Sequence, residues 1–541
     1  MSAPDVSVVS MGLRSVMTWG RWGLLILGFV CLSLFALRQA ELTGDGKEYL
    51  LYAHAFSSHL SPDIRASDVE YVNGYLQKIG SDLHLDFETL GEGQQFSGGA
   101  RFDGMGFVKA EGGRIYAWHY WLYSLCVTPF LVLVRAAGGV PESAFVLCNL
   151  AYVLGVLIYI LRWWKAGPLV QCLLAGLFLT TGTTYYVWWS HPEVFTASLV
   201  LLGLLAASDR RYGLGMWALA VAATQNPPLL FLMVMVLVTA FVLPAGRKGD
   251  VQGPLFSAKR LLHPISLGGP ALVFALTPAV FYLLEIGVAN PIAAAGWADL
   301  SLLSPGRLVS MFFDLNMGMV VGLPVVTVVA VALPIFALGG ALLGLGCTEA
   351  MRRYALPVSA GVLASVVIAV PALTATNWNH GQAAFSRYAY WVAMPVVLGV
   401  SVCVGRLPRR LSIVLAACLL ITQFACVAYY GVWGKNWRAT YLAFKPFVPF
   451  VLLNHPGLYS PLPEIFAERL VQRENVLDGT PPKNSRFVFP DLEHPTKILL
   501  RASAAESGAQ LFRAKCSAVS VDYVEKSWAY INIPMTCYTK P

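Results

Sequence analysis

Asp45 stands between Gly44 and Gly46 in the stretch AELTGDGKEYLLYAHAF, with Glu41, Lys47 and Glu48 beside it, in a chain that is otherwise strongly apolar. Charge at the edge of a bilayer is costly and is usually kept there for function. Flanking glycines let a carboxylate approach a ligand closely, and a carboxylate is suited to accept the proton of an attacking hydroxyl. Asp45 is therefore the catalytic candidate, with Lys47 and Glu48 as substrate-binding residues next to it. The same residues also fit a helix start, Asp45 as the cap and Glu48 in the first turn. The local pattern allows both roles.

Three further clusters could work with Asp45. In Ser190-His191-Pro192-Glu193, His191 and Glu193 could orient an acceptor or hold a divalent ion. The alternative is a plain helix start with Pro192 in the first turn. In TNWNHGQAAFSRY, Asn379 and His380 suit sugar hydroxyls, and Arg387 with Tyr388 suits a phosphate. Interfacial anchoring is the competing reading of Arg387 and Tyr388. Lys109, Arg114 and His119 form a second group for a lipid phosphate, against a reading as snorkelling cations. Asp314, Asn316 and Gly318 fit a helix cap as well as a ligand contact. The turn Gln225–Pro228 carries polar residues that a mere connector would not need, and it also fits the end of one helix and the start of the next.

These residues sit among apolar segments. The chain has 541 residues, 57% of them hydrophobic and 13% charged. A soluble domain carries about a quarter charged residues, so the composition is that of a polytopic membrane protein. The net charge of +8 comes from Lys and Arg spread between apolar segments. No basic run is long enough for a nucleic-acid tail, and nucleic acid is not an expected partner. Arg14 and Arg21 precede the apolar stretch Trp22–Leu37, which reads as a signal anchor with its N-terminal side in the cytoplasm. Further apolar segments are Tyr116–Val134, Ala144–Leu161, Leu169–Trp188, Val194–Ala207, Leu214–Thr224, Leu229–Leu243, Ile265–Ile286, Met319–Leu345, Ala355–Leu373, Tyr390–Val404 and Leu411–Tyr430. Lys47–Leu60 reads as an amphipathic helix lying on the membrane, Ser67–Ile79 as another helix, and Gly91–Gly113 as a mobile or ligand-shaped loop.

Basic pairs in the short connections set the topology. Arg162/Lys165, Arg210/Arg211, Arg247/Lys248, Lys259/Arg260, Arg352/Arg353 and Arg409/Arg410 all fall on the cytoplasmic side only if Tyr116–Val134 does not cross fully. The expectation is an all-α bundle of about 11 spans with outer juxtamembrane helices. Residues 1–431 form this membrane domain, with a first outer loop over 39–140, and residues 432–541 form a small extracytoplasmic α/β or β domain. In that domain Arg486–Phe489, Lys497–Arg501, Leu511–Arg513, Val519–Val524 and Tyr530–Ile533 read as strands. Of the ten cysteines, Cys516 and Cys537 lie in this polar tail, where an oxidising compartment would allow them to pair.

TGDGKEYLLYA after a first span, GRIYAWHYWLYS, SHPEVF, NHGQAAFSRYAYWVAMP and HPGLYSPLPEIF together resemble the GT-C superfamily of integral membrane glycosyltransferases. Its members include protein O-mannosyltransferases and the lipid A aminoarabinose transferase. Many members carry a doubled acidic pair in the first loop, whereas here Asp45 is followed by Gly46. The resemblance implies inverting transfer on the periplasmic face of a bacterial inner membrane. Asp45 would take the acceptor proton, and the donor would be a sugar on undecaprenyl or decaprenyl phosphate. The phosphate would leave against Arg387, with Arg114 or Lys109. His191 and Glu193 would position the acceptor or a metal, and the acceptor would be a glycan, lipid or protein. No other cofactor is expected. A surface-polysaccharide polymerase or ligase is the nearest alternative. A transporter fits less well, because the chain lacks repeat symmetry.

Overall fold

The structure is a computed structural model and describes residues 42, 44–96, 99–242, 258–342, 349–380, 385–429, 442–477, 485–524 and 527–539. The expected first span, Trp22–Leu37, lies outside the described residues, as do Glu41, Arg247, Lys248 and Gln382.

The chain is mostly helical, and each apolar segment that is described contains helix, with Tyr116–Val134 helical only from Leu122. Among the described residues, five helices are long and apolar enough to cross a membrane: Ser143–Trp163, Ile265–Ile286, Arg353–Ala372, Arg387–Arg406 and Arg409–Tyr429. Shorter apolar helices are Leu122–Ala136, Glu193–Ser208, Tyr212–Ala223, Leu229–Val242 and Pro324–Gly340. Two segments break where their sequences change character. Leu169–Trp188 is helical over Pro168–Phe178, then opens into a wide turn at Leu179–Thr183, where Thr181 leaves helical geometry. Met319–Leu345 is interrupted at Leu323, ahead of Pro324, which cannot donate a helix hydrogen bond.

Three expectations for the polar regions need correction. Lys47–Leu60 is helical over Gly46–His59 (α1), but α1 does not have one side free to lie on a membrane. Gly46 and every residue from Glu48 to Phe56 are buried. Neighbouring elements cover it: α1 packs beside Leu122–Ala136, and Tyr52 donates from its hydroxyl to the Ala117 carbonyl at 2.7 Å. The second helix, Ala66–Lys78 (α2), lies beside α1, where Asp68 accepts from His54 and His59. The glycine-rich loop is an antiparallel four-stranded sheet. Its strands are β1 Gln94–Gln95, β2 Arg101–Phe102, β3 Phe107–Lys109 and β4 Ile115–Ala117, in that order. Gly104, Gly106 and Gly113 adopt left-handed backbone in its turns. Leu511–Arg513 is not a strand but the end of a helix, Ala502–Arg513.

The other four tail strands form as expected: β5 Arg486–Phe489, β6 Lys497–Arg501, β7 Ser520–Val524 and β8 Trp528–Asn532. They make an antiparallel sheet in the order β5-β6-β8-β7, covered by Ala502–Arg513 through Ala505 and Ala509. Cys516 and Cys537 are joined by a disulfide at the edge of this layer. Two helices, Phe447–Asn454 and Pro463–Val471 (α3), connect the sheet to the helical body.

Candidate active site

Asp45 occupies the N-cap position of α1, yet its side chain makes no capping hydrogen bond. The carboxylate is instead turned into a cleft of about 330 Å³. The glycines on either side explain how it gets there. Gly44 has φ +55° and faces the His191 ring, and a Cβ on Gly46 would lie 2.2 Å from Ser190 Oγ. The two glycines let the Asp45 turn sit against the Ser190 and His191 side chains, so the two motifs are built into one wall.

Three cationic or titratable groups converge on Asp45 Oδ2. His119 Nε2 lies at 3.5 Å, His191 Nδ1 at 3.8 Å and Arg387 NH1 at 3.9 Å. Arg387 NH1 is also 4.0 Å from Glu193 Oε1. Each group comes from a chain position fixed by local structure. His119 follows β4, His191 and Glu193 open Glu193–Ser208, and Arg387 opens Arg387–Arg406 after Ser386. Tyr388 lines the cleft, and its ring lies 5.1 Å from the guanidinium. Glu193 Oε2 and Arg387 Nε are buried with no hydrogen-bond partner among the described residues. Buried polar groups in folded proteins are nearly always satisfied, so these two atoms mark a place built for polar ligand atoms.

Glu48 does not complete a capping box. It is buried at 1% exposure and binds His119 Nδ1 at 2.7 Å, giving a carboxylate–imidazole–carboxylate chain from Glu48 through His119 to Asp45. Burial pushes the Glu48 carboxyl up to about 7 against the pull of His119. Burial alone would lower His119, but Glu48 and then Asp45 outweigh it and raise the imidazole to about 9. Both directions keep a proton on this pair at neutral pH. Asp45 is the opposite case. Burial raises its pKa, but His119, His191, Arg387 and Lys47 together hold the carboxyl below the usual aspartate range. It is therefore ionised and available as a base.

Asp45, Glu48 and His119 each offer one donor atom, all within 4.8 Å of one another, and these are the atoms that could hold a divalent ion. The metal candidates His191 and Glu193 are not part of that group. An ion there would require His119 to lose the proton its two carboxylates favour, beside the fixed charge of Arg387.

The other predicted residues fall elsewhere. Lys47 lies beside Asp45, with its ammonium 5.8 Å from the Phe107 ring. Lys109 and Arg114 do not line the cleft. They pair with Glu92 at 2.6 Å and Glu285 at 2.7 Å, so neighbouring carboxylates already neutralise them. Asn379 and His380 do not line it either; both bind Glu468 of α3. Asp314 locks its own turn through Asn316 and Met317 and accepts from Tyr459.

Sequence reading assigned no site role to several cleft residues, among them Tyr49, Gln225 and Asn226. Tyr49 is one helical turn beyond Asp45, a spacing that puts both on one face of α1; its ring lies 5.5 Å from His119 and 5.8 Å from His191. Gln225 and Asn226 of the turn Gln225–Pro228 also line the cleft. Gln225 reaches Tyr49, and Asn226 donates to Thr196 at 2.6 Å. The visible signal was two adjacent amides in an outer connection that needs neither. Leu230, Phe231, Ile292 and Trp391 add apolar lining to the cleft. Comparison with family models, with curated proteins and with solved structures finds no match to this chain.

Proposed function

We propose that this chain is an integral membrane glycosyltransferase of GT-C type. It moves a sugar from a polyprenyl-phosphate donor to a hydroxyl of a glycan, lipid or protein. The observation that carries this reading is one cleft holding an ionised carboxylate, Asp45, and a buried guanidinium, Arg387, together with apolar lining residues. The acceptor hydroxyl loses its proton to Asp45, and its oxygen forms the new bond at the anomeric carbon. The bond from that carbon to the phosphate oxygen breaks, and polyprenyl phosphate leaves with inversion. A phosphate leaving group needs its charge neutralised more than it needs an acid. Arg387 turns NH1 toward Asp45 and Glu193, and among the described residues its Nε has no hydrogen-bond partner to compete with a phosphate oxygen. Glu193 and Asn226 supply acceptors and donors for sugar hydroxyls, and the apolar lining takes the first isoprene units.

In this reading the cleft and the C-terminal sheet face the periplasm of a bacterial inner membrane crossed about 11 times, with the N-terminal side in the cytoplasm. The five long apolar helices and the position of the cleft at helix ends support that placement.

Membranes containing wild type or Asp45→Asn are supplied with a radiolabelled polyprenyl-phosphate sugar pool. At equal expression, loss of labelled product by about 10²–10⁴-fold is expected. Equal labelling by the variant removes Asp45 as the base. Loss of wild-type labelling with a chelator would assign the charge neutralisation to an ion at Asp45, Glu48 and His119 instead of to Arg387.

A further inference from the structure

α3 (PEIFAERLV) belongs to the C-terminal region, which the reaction above leaves unused. Its Glu464 and Glu468 are one helical turn apart and share a face. Glu464 Oε1 accepts from Trp378 Nε1 at 2.7 Å, and Oε2 accepts from Arg307 NH2 at 2.9 Å. Arg307 NH1 donates in turn to the carbonyls of Leu373 and Ala375, both at 3.1 Å. Glu468 accepts from Asn379 Nδ2 at 2.8 Å, from His380 Nε2 at 3.0 Å and from the Asn475 backbone at 3.1 Å. Two carboxylates thus satisfy four side chains of the body, every one of them at most 6% exposed.

The gripped residues lead straight to the cleft. The Trp378 carbonyl accepts from Ser386 Oγ at 3.2 Å, and the Ser386 backbone donates to Met317 at 2.8 Å. Ser386 is the residue before Arg387. Met317 belongs to the turn that Asp314 locks, and Asp314 is held by Tyr459, again from the C-terminal region. Ser386 is therefore held through its hydroxyl and through its backbone N–H by two stretches anchored on the segment from Tyr459 to Glu468, while Tyr186 separately donates to the Phe385 carbonyl at 2.6 Å.

We propose that Glu464 and Glu468 are positioning residues for Arg387, so that the C-terminal region sets how well the cleft binds the phosphate of its donor. This inference rests on the glycosyltransferase reading for the identity of that phosphate, but its mechanical part does not. Removing Glu468 leaves Asn379 Nδ2 and His380 Nε2 buried without that acceptor. This loosens 379–380 beside the contacts that Trp378 keeps with Glu464 and Thr376 with Trp297, and removing Glu464 loosens Trp378 and with it Ser386.

The test compares full-length wild type with Glu468→Ala, Glu468→Gln and Glu464→Ala, with Leu511→Ser as a distant surface control. Amide hydrogen exchange is followed in peptides 376–380 and 385–392. The Ala variants are expected to exchange about tenfold faster there, with β6 and β8 unchanged, and Glu468→Gln less so because its amide oxygen still accepts. With a radiolabelled polyprenyl-phosphate sugar, donor KM is expected to rise about tenfold while acceptor KM stays level. Unchanged exchange in both peptides overturns the coupling, and faster exchange with an unchanged donor KM overturns its service to Arg387. Should wild type transfer no sugar, the glycosyltransferase reading fails, and exchange alone still decides whether α3 holds the Arg387 turn. If the Ala variants do not fold, Glu468→Gln carries the same comparison.

Discussion

Glu48→Gln is the sharpest probe of the cleft because it removes one charge without changing shape. Glu48 is at 1% side-chain exposure, 2.7 Å from His119 Nδ1, and Asp45 approaches the same ring at 3.5 Å from the other side. An opposite charge at such distances shifts a titrating group by about 1–3 pKa units. In wild type the imidazole is raised from 6.5 to about 9. Its stabilising contribution is therefore complete below 6.5 and is lost as pH rises through 9, falling by about 2 kcal/mol between pH 7 and 9. The Glu48 carboxyl, raised to about 7, has the same sign in a lower window: its contribution is present below 4.5 and lost as pH rises through 7. With glutamine at position 48 the amide oxygen still accepts from Nδ1–H, but only Asp45 favours the imidazolium. The His119 midpoint should drop by about 1–3 units. Hydrogen–deuterium exchange at the imidazole C2 position, read by mass spectrometry on the His119 peptide, measures that midpoint directly. A wild-type midpoint near 6.5, or the same midpoint in both proteins, would refute the carboxylate–imidazole–carboxylate chain.

Two other expectations follow from packing and covalent structure. Gly46→Ala puts a Cβ 2.2 Å from Ser190 Oγ and should cost about 1–3 kcal/mol and displace His191. Transfer should fall at least about tenfold and recover in the double variant with Ser190→Gly; failure of that rescue would show the contact is not what requires glycine. Maleimide labelling of the denatured, unreduced protein should leave Cys516 and Cys537 unmodified, and reductant should expose both. Labelling of both without reductant would contradict the bridge.

The individual elements were largely legible in the sequence. Each described apolar segment contains a helix, which satisfies the backbone polarity of an apolar run internally, although Tyr116–Val134 opens in β4 and becomes helical only at Leu122. Four tail strands were visible from their alternation. Leu511–Arg513 was misread because three apolar-to-basic residues look alike at either period; its helical state comes from Ala505 and Ala509 packing on the sheet. The Gly91–Gly113 sheet was missed because its strands are two or three residues long, too short to show a period, and exist only through pairing.

By itself the sequence determined that Asp45 is an unusual charge in an apolar chain, and that His191, Glu193 and Arg387 open helices. It could not determine which cations face Asp45. Lys109 and Arg114 stood as second candidates behind Arg387 and could not be dismissed, since residue type and flanking pattern are the same for a cation that binds a ligand and one already paired. Tertiary structure decided it by distance. Arg387 stands 3.9 Å from Asp45, while Glu92 and Glu285 hold the other two. Tertiary structure also turned Glu48 from a capping residue into the partner of His119, and assigned Asn379 and His380 to a contact with Glu468 instead of to the cleft. Local pattern sets backbone state because that is a short-range matter of burial and hydrogen bonding. Charge pairing between residues hundreds of positions apart depends on Coulomb energy falling with separation in space, which the chain acquires only when folded.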